Sequence, residues 1–167
     1  MKRLRDFFRQ RGTELKRADI GPLLEKVCRS QAMRAEAAQV VLECHCDDGL
    51  PRIWMDPVQI EVVLRNLVSN GVDAALSTPS SDPYVRVHAS VEHEHLVIEV
   101  LDSGDGIAPV DLPHMFETRR SSKPGGMGIG LLISRSIVEA HEGRLWAEPG
   151  PGGKFFVSLP LSEHGHD

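Results

Sequence analysis

Three groups of residues in this sequence have types and spacings that could do chemistry. Asn66, Asn70 and Asp73 fall at i, i+4 and i+7 within "DPVQIEVVLRNLVSNGVDAA", so on a helix they share one face. Such a stripe is either a solvated face or a place where a side-chain oxygen meets a hard cation such as Mg2+. That ion takes few protein groups beside water and phosphate. Asp102 closes the apolar run "LVIEVLD" and is followed by Gly104 and Gly106. This is either an acidic turn after a strand or a carboxylate aimed at an amino group on a flat ring, with the glycines leaving room. The third group is Gly125, Gly126, Gly128 and Gly130, four glycines in six residues, beside Lys123 and opening the run "LLISRSIVEA". Glycine costs roughly 0.5–1 kcal/mol against alanine inside a helix. The cluster is therefore either a mobile loop before a helix, or backbone N–H groups brought up to a phosphate at a helix N-terminus.

Each group needs an element to position it. The Asn-bearing segment reads as a helix over about residues 58–76, entered through Asp56-Pro57 and broken by "TPSSDP"; Leu64, Leu67, Val68 and Ala75 supply its core face. "YVRVHASVE" and "HLVIEVLD" alternate and form an antiparallel pair across the loose turn "EHEH". A helix over about residues 127–141 leads to a closing hairpin, "GRLWAEPG" and "GGKFFVSLPL". Upstream, the segment from Asp19 reads as a helix with Pro22 in its first turn. "VVLECHC" and "RIWM" read as strands around the turn "DDGLP", and residues 110–115 hold one short helical turn. Helices and strands do not alternate as βαβ units, which favours an α+β two-layer sandwich.

Composition bounds the rest. A chain of 167 residues is one ordinary domain, able to bury about two-thirds of its unfolded surface. A formal charge of −5 gives no case for nucleic acid, and no run of 18 apolar residues spans a membrane. "MKRLRDFFRQRG" is basic but lacks the apolar core of a signal peptide. Leu4, Phe7 and Phe8 make a short helical stripe there, read as the end of a longer helix, with a membrane-surface helix as the rival. Cys28, Cys44 and Cys46 cannot all pair with one another, which suits a reducing, cytoplasmic setting. Strand alternation puts His45 on the face opposite Cys44 and Cys46, so "CHC" does not read as a metal site.

The order of the groups is more specific than any one of them. "NLVSNGVDAA", "DSGDGI", "MFETRRSSKPGGMGIGL" and "ISRSIVEAHEGRLWAEPGPGGKFFVSLP" follow one another as in the catalytic ATP-binding domain of the sensor histidine kinases. The chain resembles that domain from Thr13 to Leu161, within the superfamily that also holds gyrase, Hsp90 and MutL. It is most similar to the oxygen- and dicarboxylate-sensing group. The resemblance implies a mixed, mostly antiparallel sheet packed on three helices, with residues 13–162 as the ATP-binding domain. Residues 1–12 would end a dimerisation helix or linker, and 163–167 would be a tail.

It also implies roles. Asn70 takes the Mg2+-ligand position, and Asn66 lies one turn earlier at the catalytic edge of the pocket. Asp102 recognises the adenine amino group, and Gly104 and Gly106 form the turn beneath the base. Gly126, Gly128 and Gly130 hinge a lid over ATP, and Lys123 balances triphosphate charge. Asp73, Ile107, Met127 and Leu131 complete the cofactor-binding set. Relatives that hydrolyse ATP carry a glutamate base where this chain has Asn66. A nucleophilic imidazole needs no such base near neutral pH, so the difference favours histidine phosphorylation. The lid departs from the family's Pro-Phe-Phe-Thr-Thr-Lys, reading Thr118-Arg119-Arg120-Ser121-Ser122-Lys123. None of the eight histidines has the acceptor context, and His141 reads as structural. The acceptor is expected on a separate histidine-bearing dimerisation domain, with a response regulator downstream. The alternatives are a nucleotide-binding regulatory module with little transferase activity and an anti-sigma-type serine kinase.

Overall fold

A computed structural model describes Arg3, Asp6 and residues 12–117 and 129–162. The order is β1 (Lys16–Ala18), α1 (Ile20–Ala37), β2 (Val41–Cys46), β3 (Ile53–Met55), α2 (Pro57–Ser77), β4 (Tyr84–Glu92) and β5 (His95–Asp102). A 3-10 turn at Leu112–His114 follows, then α3 (Gly130–Ala140), β6 (Arg144–Ala147) and β7 (Gly153–Pro160). The main sheet runs β2-β4-β5-β7-β6, parallel only between β2 and β4. The expected α+β sandwich of three helices on a mixed, mostly antiparallel sheet is what forms.

Period-2 burial explains the layering. Val85, Val87 and Ala89 of β4 and Leu96, Ile98 and Val100 of β5 are buried beneath the helices. They meet Ile60, Val63, Leu64, Leu67 and Val68 of α2 in one core cluster. The core lies between the sheet and the helices, and the other sheet face carries Arg86, His88 and Glu99.

Several details differ from expectation. β2 lies parallel to β4, and β3 pairs with β1, a short strand that the sequence reading did not expect. The turn between β4 and β5 is tight rather than loose, because Glu92 pairs with His95 and His93 takes φ 54°. Cys28 on α1 and Cys44 on β2 are joined as a disulfide, against the reduced state expected from the odd count. The helix packs on the edge strand with these two Cα atoms 6.7 Å apart, a proximity that spacing alone did not reveal. Cys46 keeps its thiol, which burial pushes up from its ordinary pKa, with the charges of Glu25 and Asp47 adding to the rise. Among the described residues no helix is long and apolar enough to cross a membrane. The stripe Leu4, Phe7 and Phe8 lies outside the described residues.

Candidate functional site

The helix that carries the asparagines is fixed at its start by Asp56. Asp56 Oδ1 accepts the N–H groups of Val58 (3.1 Å) and Gln59 (3.2 Å), an N-cap worth about 1 kcal/mol. Its Oδ2 accepts Glu14 N–H at 3.0 Å, which ties the incoming chain to the same point. The Asp56 N–H itself donates to Nε2 of His141 at 3.0 Å, and His141 Nδ1 lies 2.8 Å from the Ile137 carbonyl. A carbonyl only accepts and an amide N–H only donates, so the ring is the neutral tautomer protonated on Nδ1. Burial pushes His141 below the ordinary imidazole pKa, partly offset by the Ile137 hydrogen bond and the Asp56 charge. The reading of His141 as structural holds: it joins the end of α3 to the start of α2.

Asp102 sits at the last position of β5 and is 5% exposed. Its Oδ1 accepts two backbone N–H groups, from Gly104 at 2.8 Å and from Gly153 at 3.1 Å. Both donors take the same oxygen, and among the described residues no hydrogen bond is made to Oδ2. Burial pushes the carboxyl above its ordinary pKa, and the two backbone hydrogen bonds pull it part of the way back. A buried carboxylate held this way favours a ligand that brings its own hydrogen-bond donor.

The glycines around Asp102 are sterically required at two positions. At Gly106 φ is +79° and a Cβ would overlap the Gly150 carbonyl oxygen; at Gly153 a Cβ would overlap the Asp102 carboxylate. The turn after β5 therefore packs directly on the turn before β7, and Ile107 bridges to Gly150. Gly104 is tight against Ala74 of α2, which brings the Asp102 turn onto the helix that carries the asparagines.

On α2, Asn66, Asn70 and Asp73 are all half-buried. Asn66 Nδ2 donates to Ser134 Oγ of α3 at 3.1 Å, and Gly130 lies against the same amide, so Asn66 joins α2 to the start of α3. The Asp73 carboxylate pairs with Arg34 of α1, whose guanidinium also reaches the Ser69 carbonyl at 3.2 Å. Leu131 packs half-buried against the core just beyond Gly130. Phe116, the aromatic before the lid segment, also packs on the core, with the Arg135 guanidinium 5.2 Å from its ring centroid. Lys123, Gly126, Met127, Gly128 and the Arg119-Arg120 departure lie outside the described residues. Gly153 and Ser134 contact site residues but were missed. The glycine run at 150–153 was the available signal for the first, and nothing local marked the second.

Known proteins supply the comparison. The family model described as "Histidine kinase-, DNA gyrase B-, and HSP90-like ATPase" matches residues 55–163. The C4-dicarboxylate transport sensor protein DctS of Rhodobacter capsulatus is 34% identical over 167 residues, covering 99% of this chain and 25% of its own length. The sensor protein FixL of Bradyrhizobium diazoefficiens is 33% identical over 165 residues, covering 98% of this chain and 32% of FixL. The chain thus spans a third or less of these curated relatives. Among solved structures, full-length ShkA in complex with AMPPNP superposes with a TM-score of 0.80 at 25% identity, over 93% of this chain and 33% of ShkA.

Proposed function

The chain belongs to the histidine kinase-, DNA gyrase B-, and HSP90-like ATPase family, and from that premise we propose that it binds Mg-ATP for phosphoryl transfer to a histidine. The nucleotide lies between α2, the Asp102 turn and the start of α3. The acceptor histidine belongs to a separate dimerisation domain, a response regulator receives the phosphoryl group next, and the work is done in the cytoplasm. Residues 13–162 form the nucleotide-binding unit, with 1–12 and 163–167 as flanks.

The observation that carries this reading is the buried Asp102 carboxylate, with Oδ1 taken by Gly104 and Gly153 and Oδ2 left for a ligand. Adenine presents an amino donor where guanine presents a carbonyl acceptor, so the carboxylate attracts the first and repels the second. Asn70 offers a hard amide oxygen one turn beyond Asn66, which suits an ion that keeps most of its water and takes one or two protein groups. Mg2+, when bound, neutralises charge on the transferring phosphoryl group. The chain's own residues hold the base at Asp102 and place the phosphates toward the start of α3. A neutral imidazole nitrogen of the acceptor then forms the N–P bond as the bridging oxygen leaves with ADP. Asn66, an amide, has no basicity to activate water, which keeps hydrolysis slow.

Calorimetry with AMPPNP, GMPPNP and Mg2+ tests the assignment. The wild-type chain is expected to prefer the adenine nucleotide. Asp102→Asn should weaken AMPPNP binding by about 10–100-fold, the range for losing a hydrogen bond to a charged group, and should erode the preference. Equal affinity and selectivity in both proteins would overturn the role given to Asp102.

A further inference from the structure

On the sheet face turned away from the helices, β2 and β4 bring together three metal-ligating side chains. His45 and His88 are directly opposite in the parallel register, their rings stacked with centroids 5.4 Å apart and planes inclined by 24°. Asp47 follows two residues after His45, and its Oδ1 lies 2.7 Å from His88 Nε2 and 3.7 Å from His45 Nε2. One ligand atom from each residue falls in a cluster whose members all lie within 4.8 Å of one another. From these residues we propose that His45, Asp47 and His88 form a second metal site that takes a divalent transition ion of the zinc type.

Ligand geometry supports the assignment. Metal–nitrogen and metal–oxygen bonds of about 2.0–2.2 Å put neighbouring ligand atoms roughly 3–3.5 Å apart in a tetrahedral shell. The observed separations of 2.7 and 3.7 Å bracket that range, and a small rotation of exposed rings closes the site. Two imidazoles with one carboxylate suit zinc, nickel or copper, whereas magnesium and calcium prefer all-oxygen shells. This selects against the Mg2+ proposed at Asn70. The local charge is permissive: Arg86, two residues before His88 on the same face, is paired with Glu43 at 3.0 Å, and Glu99 stands opposite His88. Exposure of His45 and Asp47 gives an entry path and leaves coordination positions for water. The thiols do not compete from this side, since Cys44 and Cys46 point to the opposite face of β2 and Cys44 is bonded to Cys28.

His45 comes from the edge strand β2, Asp47 from the residue just past its end and His88 from β4, so the ion would clamp the sheet's parallel pair. An ion that binds only the folded chain stabilises it by mass action. At about a hundredfold excess over its dissociation constant, Zn2+ should raise the melting temperature by about 5–10 °C.

The test is titration of the untagged chain with Zn2+ and Co2+. One equivalent of Zn2+ should bind the wild type. His45→Ala, Asp47→Asn and His88→Ala should each weaken it by at least about tenfold and remove the thermal shift, with AMPPNP binding retained. Co2+ should give ligand-field absorption with no thiolate charge-transfer band, a readout that needs no variant. Absence of a zinc-induced shift, undiminished binding in the variants, or a thiolate band from Cys46 would each overturn the site.

Discussion

Asp102 and His141 are both buried, both titratable, and both shifted toward their neutral forms. For Asp102 the folded pKa lies above the unfolded one, so its contribution to stability is present below the unfolded value and is lost as pH rises through the folded value. Burial of the ionised carboxylate therefore works against the fold, and the two backbone hydrogen bonds offset part of that cost. Asp102→Asn keeps the acceptor oxygen for Gly104 and Gly153 and removes that charge. It should leave the nucleotide-free melting temperature unchanged or higher while affinity falls, a trade between stability and function. A clear drop in melting temperature would show that the carboxylate is structural instead. For His141 the sign is opposite in pH. Its folded pKa is lowered, so its stabilisation is present above the ordinary value near 6.5 and is lost as pH falls toward the folded value. Urea midpoints measured between pH 7.5 and 5 should fall in the wild type, and the fall should be shallower in His141→Gln. Parallel slopes would remove His141 as the cause.

At the scale of elements, α2 is fixed at its start and along its middle. Asp56 caps it, anchors Glu14, and docks on His141, while Asn66 joins it to α3 through Ser134. Asp56→Ala removes the acceptor for three backbone N–H groups and should cost about 1–2 kcal/mol in urea unfolding. It should also weaken nucleotide binding, because the helix start sets the height of Asn70 against Asp102. A loss below a few tenths of a kcal/mol would mean that water replaces the cap. The elements also mark where sequence ran out. α2, β4 and β5 were legible because burial imposes a local period on each. β1 was not, since three residues, Lys16, Arg17 and Ala18, are too few to show a period and their partner, β3, lies beyond the whole of α1. The parallel pairing of β2 with β4 and the packing of α1 on β2 are likewise tertiary choices, so the facing of His45 with His88 and of Cys28 with Cys44 stayed hidden. Arg34 reaching Asp73 from α1 is another contact of this kind.

On the whole-molecule scale, one layer of helices on one sheet leaves a nucleotide edge and an open sheet face. The proposed nucleotide edge is expected from four motifs in a fixed order, and the described residues join two of them to α2, through Asn66 against Gly130 and Ser134 and through Gly104 against Ala74. The metal-ligand cluster on the open face was not legible in the sequence, because no single segment contains it. By sequence pattern none of the eight histidines has the helical acceptor context, and His141 is committed to Asp56. The proposed reaction takes its acceptor histidine from a second domain. The most direct measurement is incubation of the chain with γ-labelled ATP and Mg2+, alone and with the parent kinase's histidine-bearing dimerisation domain. The account predicts acid-labile label on the added domain, abolished by replacing its acceptor histidine and impaired by Asn70→Ala, with no stable label on this chain alone. Stable label on this chain by itself, or rapid phosphate release with no label on the acceptor, would contradict it.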